Sequence, residues 1–156
     1  MFSSLPNVHP FLVHFPVALF PMALLLDLSL VAGFRHLWVD RAALLGLGAS
    51  ALSSLASAVS GKVAADALTP TLNEGAVAAV GSHGDWAFAT VVLFFVVALL
   101  RVEASWRDRK SSSPRLNRAR LLALPLALVA EYCLLATAGR GGDLVYRHGV
   151  GVVSGP

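Results

Sequence analysis

Residues 9–33 read HPFLVHFPVALFPMALLLDLSLVAG, and from Phe11 onward only Asp27 carries a formal charge. A helix rises about 1.5 Å per residue, so about 20 apolar residues cross a hydrocarbon core of about 30 Å. The run therefore reads as a membrane span over about residues 11–33, with His9 and His14 at its opening edge. Three further runs have the same character, over about 42–61, 83–100 and 121–139. The second lies between Arg41 and Lys62 and the fourth between Arg120 and Arg140. The third is short if counted from Asp85, so its helix is expected to begin near Ser82 or His83. The fold class is all-α: a four-helix transmembrane bundle with up-down topology, forming one domain over residues 1–156.

The whole composition agrees. Hydrophobic residues make up 56% of the 156 and charged residues 13%, against about 25% charged in a soluble domain. Mean hydropathy is +0.72 and the isoelectric point is near 9.6. The basic residues border apolar runs, which points to phospholipid headgroups as partner rather than nucleic acid. The single cysteine, Cys133, sits in an apolar run and offers no disulfide within the chain. MFSSLPNVHP lacks lysine and arginine and leads into a run longer than a leader's apolar core, so the first segment reads as a span.

Orientation follows from the bias of lysine and arginine. Arg35 and Arg41 lie between spans one and two; Arg101, Arg107, Arg109, Lys110, Arg115, Arg118 and Arg120 lie between spans three and four. Nine of the twelve basic residues thus share one side, expected to be cytoplasmic. Both termini are expected to be extracytoplasmic, with residues 140–156 as an outward tail. TPTLNEG in the outer connection is expected to form a turn or short helix, and SSSPRLNR in the inner one a polar loop.

That topology gathers four of the five histidines at the outer edge: His9 and His14 before span one, His83 in GSHGDW before span three, and His148 in GGDLVYRHGVGV after span four. His36, beside Arg35 and Trp38, is the inner exception. Singly, each reads equally well as an interfacial or capping residue. Together they point to a shared ligand site. Five residues separate His9 from His14, which puts their rings about 140° apart around a helix, so one ion is not gripped by both from one face. The glycine-rich tail can fold back over the outer mouth and bring His148 with it.

The strings HPFLVHFPVAL and GGDLVYRHGVGV, with a histidine opening span three, resemble a bacterial membrane-protein family, domain of unknown function 2231, over the whole chain. Relatives occur beside or fused to cytochrome c-like or Rieske-type modules. The resemblance implies redox work with haem b, with His9, His14, His83 and His148 as functional candidates and Arg147 facing a haem propionate. Glu131 departs from the mostly apolar fourth span expected on that pattern.

Bundle geometry admits haem. Neighbouring helices pack about 8–10 Å apart, so diagonal ones lie about 13 Å apart. Spans one and three are diagonal, which pairs His14 with His83 and leaves His9 and His148 for a second haem or for hydrogen bonds around the first. Gly46, Ser50, Ser54 and Ala58 form a small-residue stripe along span two. Close helix packing is its simpler use, room for a macrocycle the other. Asp27 and Glu131 are costly in lipid if charged, so both are expected inside the bundle or protonated. Asp27 bonded to serines of span two, a proton route and a quinone contact all fit. There is no nucleophile–base arrangement, phosphate loop or nucleotide fingerprint, which favours an electron-transfer subunit over a stand-alone enzyme.

Three functions follow. The leading one is a haem b protein in the bacterial inner membrane, passing electrons near the extracytoplasmic face between a quinone pool and a c-type cytochrome or Rieske-type partner. The second is a non-haem copper or zinc site built from three or four of the imidazoles. The third is a structural or assembly subunit without cofactor, as a homo- or hetero-oligomer.

Overall fold

A computed structural model describes residues 8–152. Its elements are α1 (His9–Leu12), α2 (His14–Val31), α3 (Leu37–Leu68), a 3-10 turn (Thr69–Thr71), α4 (Glu74–Asp108) and α5 (Arg118–Tyr146). Four helical stretches are long and apolar enough to cross a membrane, α1 and α2 together forming the first. Val13 separates that pair because Pro16 has no N–H to donate back to Leu12, so the ladder loosens one turn before it. Asn73 and Asn117 cap α4 and α5, their side chains accepting from the backbone N–H of Ala76 and Arg120 at 2.9 and 3.0 Å.

The helices outrun the expected spans. At 32 and 35 residues, α3 and α4 are about 48 and 52 Å long. The boundaries read at Lys62 and His83 are therefore points where charged or polar residues begin within one continuous helix. TPTLNEG supplies the 3-10 turn and the Asn73 cap, and the last helix runs seven residues past Gly139 before the tail leaves it.

Consecutive helices pack as neighbours and α5 returns to α2, closing an up-down bundle. Its core obeys a hidden symmetry. Adding 74 to the six buried positions of α2 gives six buried positions of α4: Pro16/Thr90, Phe20/Phe94, Ala23/Val97, Leu24/Ala98, Asp27/Arg101 and Leu30/Ala104. Adding 80 to six of α3 gives six of α5: Val39/Ala119, Asp40/Arg120, Ala43/Ala123, Leu47/Ala127, Ser50/Ala130 and Ser54/Leu134. The bundle is thus two equivalent hairpins, α1–α3 and α4–α5.

Equivalent residues meet on the line between the hairpins, which makes that line a pseudo-twofold axis. Phe20 stacks on Phe94 with ring centres 3.8 Å apart and planes 8° from parallel. Asp27 accepts from Arg101 Nε at 2.7 Å, and His9 faces His83 with ring centres 6.5 Å apart. Eighteen residues separate His9 from Asp27 and His83 from Arg101, a rise of about 27 Å. The imidazole layer and the ion-pair layer therefore lie about one hydrocarbon thickness apart, with the phenylalanine stack between them.

The ion-pair layer ties all the long helices together. Arg101, with no exposed surface, holds Asp27 of α2 and Asp40 of α3, the latter at 2.9 Å. Arg120 of α5 reaches Asp40 at 2.8 Å and Asp108 of α4 at 3.3 Å. Asp27 thus bonds to an arginine rather than to serines of the second span, and Arg101 and Arg120 are core residues rather than part of a loop. Breaking such a pair strands a buried charge, at about 3–5 kcal/mol, whereas an exposed pair such as Arg107–Glu103 contributes about 0–1 kcal/mol. Asp27→Ala should therefore cut stability to unfolding in detergent by several kcal/mol while Arg107→Ala leaves it nearly unchanged. Equal, small losses would show that the layer does not hold the bundle.

Candidate functional site

His9 sits on the short α1, half-buried against α3. Its Nδ1 donates to the backbone carbonyl of Ser57 at 2.9 Å and lies 3.2 Å from Ser60 Oγ. His83, on α4, is half-buried against α5, and its Nδ1 donates to the carbonyl of Thr137 at 3.1 Å. A carbonyl only accepts, so each Nδ1 carries the hydrogen, and in the neutral ring the lone pair is on Nε2. A ring nitrogen fixed on a carbonyl sets the tautomer and orientation of the ring, as it does in imidazoles that hold a metal.

Glycine makes room for each ring. A Cβ on Gly61 would lie 2.9 Å from Cε1 of His9, and one on Gly141 would lie 3.3 Å from Cε1 of His83. Each glycine stands four residues after the carbonyl its histidine uses, Ser57 or Thr137. Gly61 and Gly141 are related by the 80-residue register, as are Ser57 and Thr137. The same construction occurs twice: a histidine of one span, laid over a glycine of the next and pinned to the carbonyl one turn earlier. Thr90 and Thr137 add a hydroxyl–hydroxyl contact of 3.1 Å beneath His83.

Two spaces adjoin the ring pair, each lined in part by His9 and His83. Below it, toward Phe20 and Phe94, is a chamber of about 100 Å³ whose fourteen lining residues form seven equivalent pairs, among them His9/His83, Val17/Val91 and Ser57/Thr137. It lies on the pseudo-twofold axis. Above it is a cavity of about 570 Å³, walled by the ends of α3, α4 and α5 and covered by Val150 and Gly151 of the tail.

The other candidates lie elsewhere. His14 is exposed on the outside of the bundle beside Phe11 and Phe15, its Nδ1 bonded to the Pro10 carbonyl at 2.6 Å. The expected pairing of His14 with His83 is thus replaced by His9 with His83, because the two rings on the first helix point apart and only His9 faces inward. His148 is exposed and lines a separate groove with Leu72 and Asn73. Arg147 is exposed and pairs with Asp143 at 3.0 Å. Glu131 is half-buried in α5 at the position equivalent to Ala51, and its Oε2 has no hydrogen-bond partner among the described residues. No group of three or more metal-ligating side chains occurs among the described residues.

A family model described as a predicted membrane protein, DUF2231, matches residues 5–154. The chain belongs to this family. No curated protein and no solved structure matches it. The match spans both terminal motifs, so in this DUF2231 protein the two histidine-bearing hairpins and the tail fall within one family unit. The spacings Ser57-x-x-x-Gly61 and Thr137-x-x-x-Gly141 are the sequence trace of the ring cradles.

Because the Gly61 contact is the tighter, Gly61→Ala should displace the His9 ring more than Gly141→Ala displaces that of His83. Nitrogen NMR of labelled histidine should show the Nδ1–H tautomer for both rings in the native protein. The His9 signal alone should change in Gly61→Ala. Unchanged signals would mean that the rings are not packed on these glycines.

Proposed function

We propose that this DUF2231 protein binds one haem b, which His9 and His83 would hold through their ring nitrogens and which would supply one-electron transfer. The observation that carries the reading is that two equivalent imidazoles meet across the axis, with ring centres 6.5 Å apart and planes 80° from parallel. Two imidazoles sharing one metal, each with a metal–nitrogen bond of about 2 Å and about 1 Å from nitrogen to ring centre, would have ring centres up to about 6 Å apart. A bare copper or zinc ion prefers three or four protein ligands, and the described residues bring two together. A porphyrin supplies the remaining four ligands itself and needs an apolar chamber, which the spaces on either side of the ring pair provide.

When bound, the haem supplies one-electron chemistry, and its potential is set by axial ligands, burial and hydrogen bonding. The chain's own part is to hold and orient. Ser57 and Thr137 fix the ring tautomers, Gly61 and Gly141 set how closely the rings approach, and the Phe20–Phe94 stack closes the chamber from below. The bias of basic residues orients the histidine end outward from a bacterial plasma membrane. Its redox partners would then be a quinone as donor and a soluble or tethered acceptor such as a c-type cytochrome or Rieske-type protein.

Protein purified from haem-replete cells should show a Soret band and the reduced spectrum of a six-coordinate low-spin haem. His9→Ala and His83→Ala should each lose the low-spin form, while His14→Ala and His148→Ala keep it. A native protein without a Soret band, or a low-spin haem that survives His9→Ala but not His14→Ala, would overturn the assignment.

A further inference from the structure

The chamber beneath the imidazoles is symmetric, but the larger cavity above them is not. Its walls still follow the two registers at Pro10/Gly84, Ala64/Leu144 and Ala65/Val145. One position breaks the pattern in charge: Lys62 lines the cavity where the second hairpin has Gly142. Histidines apart, Lys62 is the one ionisable side chain among the described lining residues, and no carboxylate lines the cavity. An otherwise apolar space of about 570 Å³ thus has a single cationic corner.

We propose that the cavity selects an amphiphile with a carboxylate edge, and that Lys62 receives that carboxylate. Lys62 is at present paired with Asp66, four residues on, and both side chains are largely exposed. Exposed pairs of this kind contribute little, so exchanging Asp66 for a ligand carboxylate at the cavity rim is inexpensive. A charged group at this rim stays near water while the apolar body of the ligand lies among Leu68, Phe88 and Val150. The assignment deepens the haem reading, on which it rests for the identity of the ligand's body, since a haem carries two carboxylates on one edge. It also moves the carboxylate contact from Arg147 to the first hairpin.

The test titrates the full-length protein, in detergent and freed of bound pigment, with haemin and with haemin dimethyl ester, which lacks both charges. Lys62→Ala should weaken haemin binding about tenfold and Lys62→Glu more, with the ester bound equally by all three proteins. Equal haemin affinity in all three overturns the role of Lys62 while leaving haem binding intact. If none of the proteins binds either porphyrin, the haem reading fails, and the same comparison is made with a fluorescent polyene fatty acid and its methyl ester. Binding of the acid that falls in Lys62→Ala then supports the carboxylate site. No Lys62-dependent binding of the acid overturns it.

Discussion

Arg101 is wholly enclosed and bonded to carboxylates from two other helices. In hydrocarbon a charged side chain costs several kcal/mol unless it is paired, so this guanidinium fixes where four segments must meet. α2 has to bring Asp27, α3 has to bring Asp40, and α5 follows because Arg120 shares Asp40. A rotation of any of these helices by one residue would turn its charged group about 100° away from the others. The layer therefore sets both register and rotation for the bundle. What happens about 27 Å away, at the imidazoles, inherits that register.

The pseudo-twofold axis explains why the two ends differ so much in chemistry while sharing a plan. On the axis each residue meets its own equivalent. Identical charges there would repel, and the hairpins resolve this by divergence: the first carries Asp27 and Asp40 where the second carries Arg101 and Arg120. Aromatic rings have no such conflict, so Phe20 and Phe94 remain identical and stack. Imidazoles have none either while neutral, and a pair facing each other across an axis has equal claims on whatever lies between. The broken positions, Lys62 above all, are where the two sides of that axis differ in charge.

Much of the fold was legible because apolar runs of membrane length leave few alternatives. The four spans and their order follow from charge spacing, whereas of the four histidines expected to converge only His9 and His83 meet. The repeat was not legible, for a physical reason. Of the twelve equivalent buried pairs, only Phe20/Phe94 and Ala43/Ala123 are identical, since any apolar residue satisfies a core position. Equivalent positions also lie six residues further apart in the second hairpin than in the first, the offsets being 74 and 80, so no single offset aligns both helices of a hairpin. The ion network was missed because Arg101 and Arg120 stand at the ends of apolar runs, where arginine ordinarily marks the water boundary. His14 looked as good a ligand as His9, since helical phase separates two rings without telling which faces inward. Only the packed fold shows that the His9 ring lies on Gly61 and turns inward while that of His14 does not.

The depth order of the layers limits what the axis can carry. Between the imidazoles and the ion pairs stand the phenylalanine stack and a core cluster that includes Leu24, Leu47, Val97 and Leu134. Rings 3.8 Å apart are in van der Waals contact and leave no width for water. A proton or ion cannot follow the axis past them in this conformation, whereas the cavity above the imidazoles opens away from the stack. Chemistry at the histidine layer is thus confined to one membrane face. A continuous channel along the axis is incompatible with the stack, whereas a site open only toward the histidine end is compatible with it.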